Sequence, residues 1–335
     1  LKILIIRFSS IGDIVLTTPV IRAVKKQVPD AEVHFCTKKQ YGLLVEDNPY
    51  VDKVHLLEEK LEPLVQQLKA ERFDFLIDLH HNLRTWLIKQ RLGVPSRTFN
   101  KLNREKWLYV NLKINRLPHV HIVDRYLEAA RPLGVVPDEE GLDYFIPYRD
   151  EVERDWLPET HQQEYVVYAI GGQHNTKKLP VTRMIELCDK INKPIILLGG
   201  PEDRANGEEI TRFFERHAQS ANYEEGLREL NKKSLVYNAC GQYNLNQSAS
   251  LIKGARAVFS HDTGLMHIAA AFQKPVYSIW GNTTPLFGMY PYRTRFVVFE
   301  NNRLACRPCS KIGYSKCPKG HFKCMNDLVF DFYIP

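Results

Sequence analysis

The stretch Val258–Pro285, VFSHDTGLMHIAAAFQKPVYSIWGNTTP, constrains the fold most, because it reads as strand, tight turn, helix, turn and strand without interruption. Ala257-Val258-Phe259 closes a buried strand, and Ser260, His261, Asp262, Thr263 and Gly264 form the turn. Leu265–Phe272 carries apolar residues at helical spacing, Lys274-Pro275 stops it, and Val276–Trp280 is the next strand. Asp262 or Thr263 is the natural N-cap, since a short side-chain oxygen there satisfies free N–H groups of the first turn. Gly264 lets a ligand approach the backbone. Free N–H groups and the helix dipole make such a start a place for phosphate oxygens, and His267, one turn in, can face the same ligand. The alternative is an ordinary capped strand–helix turn.

The rest of the chain repeats this alternation. Lys2–Arg7 (KILIIR) reads as a buried parallel strand and Phe8–Asp13 (FSSIGD) as a glycine turn. Ile14–Gln27 reads as a helix that restarts or kinks near Thr18, because Pro19 lies inside it. Strands follow at Glu32–Cys36, Val51–Leu56 and Phe73–Leu79, which predicts a doubly wound sheet. Pro137, Pro147 and Pro158 punctuate a charged, aperiodic stretch, so we divide the chain into domains 1–155 and 156–335. The second begins at Tyr165–Ile170 and has strand-end loops at 171–178, 199–203 and 260–264. The last residues are expected to pack back on the N-terminal domain.

Composition excludes little. Of 335 residues 44% are hydrophobic and 25% charged, and the net charge of +7 suits an anionic substrate or membrane surface. No sustained Lys/Arg run points to nucleic acid. No segment approaches the ~20 apolar residues of a membrane span. Leu1–Ile6 is short and leads into Arg7 and a glycine turn, so it reads as a first strand rather than a signal peptide, and a cytoplasmic protein is expected.

If the second sheet is parallel, its three loops share one edge and supply glycine backbone, Lys177 and Lys178, the carboxylate of Asp203 and the helix start at Asp262–Gly264. That set suits a nucleotide: lysines for the diphosphate, a carboxylate for ribose hydroxyls, amides for phosphate. The Walker spacing and the G-x-G-x-x-G fingerprint are both missing. In the first half Asp13 can take a proton from an incoming hydroxyl, or cap the helix that follows it. Asp78–Thr85, with His80 and Arg84, lies where open α/β sheets bind ligands. Arg97–Arg116 is rich in basic and aromatic residues and reads either as an anion-binding face or as a solvated loop and helix.

Ser9-Ser10-Ile11-Gly12-Asp13-Ile14-Val15-Leu16-Thr17-Thr18-Pro19 resembles the N-terminal signature of the glycosyltransferase family 9 heptosyltransferases. Ser260–Ala270, followed by Pro275 and Gly281-Asn282-Thr283, resembles the family's D-T-G-x-M-H signature, and Lys177-Lys178-Leu179-Pro180 its Lys-x-Trp-Pro element with Leu179 in place of Trp. The resemblance implies a GT-B fold, two facing Rossmann-like domains. It implies inverting, metal-independent transfer of a heptose from an ADP-activated sugar to a lipopolysaccharide inner-core acceptor, with no cofactor and at the inner membrane face. Carried over, Asp13 matches the general base, and Lys177, Asp203, Asp262, Thr263, Gly264, Met266 and His267 the donor site, with Met266 on the adenine side. Ser9, Ser10, Gly12, His80 and Arg84 are the acceptor-side candidates. A transferase or epimerase for another sugar nucleotide, and a non-catalytic two-domain ligand-binding protein, are the rival readings. The tail Cys306-x2-Cys309-x7-Cys317-x6-Cys324 has knuckle-like spacing that fits either a structural zinc or reduced packing thiols.

Overall fold

The continuous apolar runs become the central strands of two parallel sheets in the computed structural model, which describes residues 1–220 and 235–334. The first sheet holds β1 (Lys2–Ile6), β2 (Glu32–Lys38), β3 (Lys53–Leu57), β4 (Phe75–Asp78) and β5 (Ser96–Thr98) in the order β3-β2-β1-β4-β5. The second holds β6 (Val166–Ala169), β7 (Ile195–Leu198), β8 (Val236–Asn238), β9 (Val258–His261), β10 (Val276–Trp280) and β11 (Phe296–Glu300) in the order β11-β10-β9-β6-β7-β8. All pairings are parallel. The edge strands β5 and β11 are additions to the sequence reading. They are short or half-exposed, and lack the apolar run that marks a central strand.

Strand order reverses between β1 and β4 in one sheet and between β6 and β9 in the other. Ligands of open α/β sheets bind beyond the carboxyl ends of strands at such switch points. Helix Ile11–Val15 leaves β1 there, and helix Gly264–Ala271 leaves β9 there. After Ile11–Val15 the chain restarts as Thr18–Gln27, with Pro19 in the first turn, where its missing N–H costs nothing. No helix among the described residues is long and apolar enough to cross a membrane.

Two joints tie the halves. Arg22, fully buried, pairs with Asp138 at 2.7 Å and with Asp143, and donates to the Gly141 carbonyl at 2.9 Å, fixing the start of the connecting segment. Farther on, Tyr144 donates to Asn246 at 2.7 Å, and the amide of Val152 donates to Ser250 Oγ at 2.9 Å. The second joint runs from Ile122 N–H to the Gly288 carbonyl (2.8 Å) and from Arg125 to the Phe287 carbonyl (3.0 Å). Removing one partner of a buried ion pair leaves the other uncompensated. Arg22→Ala is therefore expected to cost about 3–5 kcal/mol, read as a lowered denaturant midpoint; an unchanged midpoint would show that the clasp adds nothing.

The tail departs from expectation. Residues 328–334 pack on the second sheet's own half, not on the first. Phe330 and Phe332 lie against Phe299 at 5.5 and 5.8 Å, and the Leu328 carbonyl accepts from Arg183. The aromatic rings of Phe259, Tyr277 and Phe299 offer that tail an apolar face in its own sheet.

Candidate active site

Two glycines set the site. A Cβ on Gly12 would stand 2.6 Å from His267 Cδ2, and one on Gly264 would stand 2.6 Å from Ile11 Cγ2 and 2.8 Å from Ile11 Cβ. Only residues without side chains let the two helix starts cross this closely. The crossing brings the loop after β1 and the turn after β9 to one cleft of about 810 Å³, lined by Ser10, Gly12 and Asp13 from one half and by Lys177, Asp262, Thr263, Gly264 and His267 from the other.

Asp13 sits in the first turn of its helix. Its Oδ1 lies 2.6 Å from Arg7 Nη2, and its Oδ2 accepts from the Ser10 amide (3.2 Å) and hydroxyl (2.9 Å). Burial favours the neutral acid, but the Arg7 guanidinium and the two Ser10 donors outweigh it and hold the carboxyl below the usual range. Asp13 thus braces its helix start and still lines the cleft, so the two readings of it are compatible.

Across the cleft, Lys177 ends a short turn, Asn175–Lys177, after β6. Its Nζ lies 2.6 Å from Asp262 Oδ2, which also accepts from Thr283 at 3.0 Å. Thr263 takes the N-cap position, yet neither it nor Asp262 caps the helix: Asp262 is turned to Lys177 and Thr283, and Thr263 Oγ1 lies 3.3 Å from Ser260 Oγ. The first-turn N–H groups are left without a side-chain cap, at the cleft wall, as an anion would require. His267 is buried, its Nδ1 has no hydrogen-bond partner among the described residues, and burial pushes its pKa down to about 4, so it stands neutral at pH 7.

Several expected site residues fall elsewhere. Met266 is wholly buried in the core and does not line the cleft. A helical step of about 100° turns residue 266 inward while its neighbours Leu265 and His267 meet the cleft. Asp203 reaches the cleft wall, but its carboxylate accepts from the Gly200 amide at 3.1 Å and pairs with Lys178 at 3.1 Å. Glu202 beside it is exposed, lines the cleft and has no ion pair among the described residues, so it is the better-placed carboxylate for a ribose. Ser9 gives its carbonyl to Arg7 at 2.8 Å, His80 packs edge-on against Phe8, and Arg84 is exposed; none of the three lines the cleft. That part of the cleft is lined instead by Tyr41, Phe99, Lys101 and Lys106 from the first half and by Phe287 and Lys311 from the second. Of the 97–116 stretch, Phe99, Lys101, Asn103 and Lys106 reach the cleft, while Trp107 is exposed.

The four tail cysteines are reduced, and no three metal-ligating groups of that segment converge within 4.8 Å; among the described residues only His34, His55 and Glu71 do so. Cys306 Sγ lies 3.9 Å from His321 Nε2, and Cys309 Sγ lies 4.0 Å from the Asn282 carbonyl. The thiols of Cys306, Cys309, Cys317 and Cys324 lie within electrostatic reach of one another but are not drawn into a common ligand set. The segment instead walls the site: buried Arg307 donates to the carbonyls of Gly281 and Thr283, and Tyr314 exchanges hydrogen bonds with Thr176 beside Lys177.

With His267 and Asp13 both deprotonated well below neutrality, kcat at saturating donor and acceptor is expected to be flat from about pH 5 to 7. An inflection near the ordinary histidine pKa would contradict this placement.

Two Rossmann-like parallel sheets that present their switch points to one cleft define a GT-B fold. The family model of glycosyltransferase family 9 (heptosyltransferase) matches residues 62–318. The chain belongs to that family. It is 25% identical over 356 residues to lipooligosaccharide heptosyltransferase 2 of Haemophilus ducreyi, covering 99% of this chain and 97% of that protein. It is 24% identical to lipopolysaccharide heptosyltransferase 1 of Escherichia coli K12, covering 92% and 93%. Among solved structures, a family 9 glycosyl transferase from Veillonella parvula superposes with a TM-score of 0.66 at 21% identity, covering 89% of this chain and 85% of that one. E. coli ADP-heptose lps heptosyltransferase II does so with 0.66 at 20% identity, covering 98% of each.

Proposed function

We propose that the protein transfers a heptose from ADP-heptose to an inner-core acceptor of lipopolysaccharide, with inversion and without a metal ion. Domain 1–155 takes the acceptor and domain 156–335 the donor. The observation that carries the reading is the glycine crossing, which sets a carboxylate on one wall of the cleft against a lysine and an uncapped helix start on the other. The names of the relatives agree, and one structural neighbour, E. coli heptosyltransferase WaaC, is described with ADP and with ADP-2-deoxy-2-fluoro heptose.

The roles follow from the geometry. The acceptor oxygen attacks the anomeric carbon from the Asp13 side and the bond to the diphosphate breaks on the other. The acceptor proton passes to Asp13, and ADP leaves with the bonding electrons. Negative charge grows on the diphosphate, where Lys177, the N–H groups of Thr263–Leu265 and neutral His267 can meet it. These groups supply the stabilisation that other transferases draw from a cation. Glu202 takes the ribose, and Asp203 positions Lys178 and the Gly199-Gly200 turn. The protein works in the cytoplasm against the inner membrane, where its acceptor is anchored.

Thermal shift with ADP, UDP and GDP tests the donor. A ligand at 100 times its Kd adds about 2.7 kcal/mol of stability, so ADP alone should raise the Tm by several degrees. Equal stabilisation by UDP would replace ADP-heptose with another donor.

A further inference from the structure

Three lysines in the cleft have no ion-pair partner among the described residues. Lys101 precedes helix Asn103–Leu112, Lys106 lies within it, and Lys311 comes from the cysteine-bearing segment of the other half; all three line the cavity. The remaining lysine and arginine of the cleft wall are paired, Arg7 with Asp13 and Lys177 with Asp262. None of the three lysines has an ion pair or side-chain hydrogen bond among the described residues. The nearby Asp78 is held by Lys89 at 3.2 Å. Burial, and then repulsion from neighbouring cations that include Lys311, lowers the pKa of both Lys101 and Lys106, the latter to about 8. Lys106 Nζ lies 5.6 Å from the centre of the Phe287 ring, which helps to fix it in the wall.

The cluster lies on the Asp13 side. The Asp13 charge acts on both Lys101 and Lys106, and each of them also feels Lys311. Three ammonium groups without an ion-pair partner among the described residues, Lys101 and Lys106 half-buried and Lys311 exposed, repel one another until an anion joins them, and a single carboxylate would leave two unpaired.

We propose that Lys101, Lys106 and Lys311 together cradle a doubly charged group of the acceptor, a phosphate monoester or paired carboxylates, beside the hydroxyl that attacks. Lys311 is then an acceptor-specificity residue supplied from the donor half, and the charged group ties the two halves together across the cleft. The proposal rests on the reading of Asp13 as the acceptor-side base.

The test uses the full chain, ADP-heptose and a deacylated inner-core oligosaccharide in three forms: untreated, phosphatase-treated and carboxyl-methylated. Wild type, Lys311→Gln and Lys101→Gln/Lys106→Gln are compared for acceptor KM and for ADP Kd. The expected result is an acceptor KM raised tenfold or more in both variants, with ADP Kd within twofold of wild type. The preference for the untreated acceptor should fall by the same factor, and the treatment that removes it in wild type identifies the group. A variant that keeps the wild-type preference overturns the proposal. So does a parallel loss of ADP affinity, which would assign the lysines to the donor diphosphate. Wild-type transfer to all three forms with equal KM sinks this proposal alone; no transfer to any form sinks the heptosyltransferase reading with it.

Discussion

Asp13→Asn is expected to lower kcat by about 10²–10⁴-fold while ADP binds within a few-fold of wild type. Asparagine keeps the shape and can still accept from Ser10, but it has no basic oxygen to receive the acceptor proton. The low pKa of Asp13 makes it a weak base towards a resting alcohol. That is no obstacle if the proton moves late, once the forming bond to the anomeric carbon has made the alcohol strongly acidic. The substitution also strips buried Arg7 of its counter-ion, although Arg7 still donates to the carbonyls of Ser9 and Leu79. Structural damage is therefore read separately, from the Tm and the ADP affinity. Loss of turnover with both retained assigns the base. Retained turnover removes Asp13 from the chemistry.

Lys177→Ala is expected to reduce kcat/KM by about 10²–10³-fold, the range for deleting one donor to a developing negative charge. ADP affinity should fall with it. The substitution takes a positive charge from the leaving diphosphate and leaves Asp262, which the lysine pairs at 2.6 Å, as an unmatched carboxylate facing the same group. Both changes weaken the transition state more than the ground state, because the diphosphate gains charge as the bond breaks. The turn itself should hold, since Thr283 still donates to Asp262. Normal ADP affinity in the variant would mean that the lysine serves only to orient Asp262.

The fold was legible where burial writes itself into continuous apolar runs, as in KILII at β1, IILL at β7 and VYSIW at β10. The restart of the second helix at Thr18 was legible because Pro19 forbids the alternative. The edge strands β5 and β11 were not, since one face of each meets solvent and the pattern fades. In the site, residues fixed by their own turn could be read locally: Asp13 after β1, Lys177 after β6, Asp262–Gly264 after β9. Met266 was misplaced because the resemblance carries a residue but not the phase of its helix. Which carboxylate of the 199–203 loop is held by an ion pair could not be read locally, because the partner of Asp203 is Lys178, 25 positions away in the chain. The acceptor wall needed the most distant information. Lys101 and Lys311 meet only through the folding of both halves, and nothing in either local sequence announces the other. The cysteine spacing left a zinc and packing thiols both open, and gave no sign that the segment is anchored by Arg307 and Tyr314.

The central claim is that a carboxylate on one wall, and a lysine beside a helix start on the other, act on a single activated sugar. Its most direct test is the anomeric configuration of the product formed from ADP-heptose by the EDTA-treated protein, read by NMR. The account predicts full activity and a configuration opposite to that of the donor. Retained configuration, or turnover that returns only when a divalent metal is added, would contradict it.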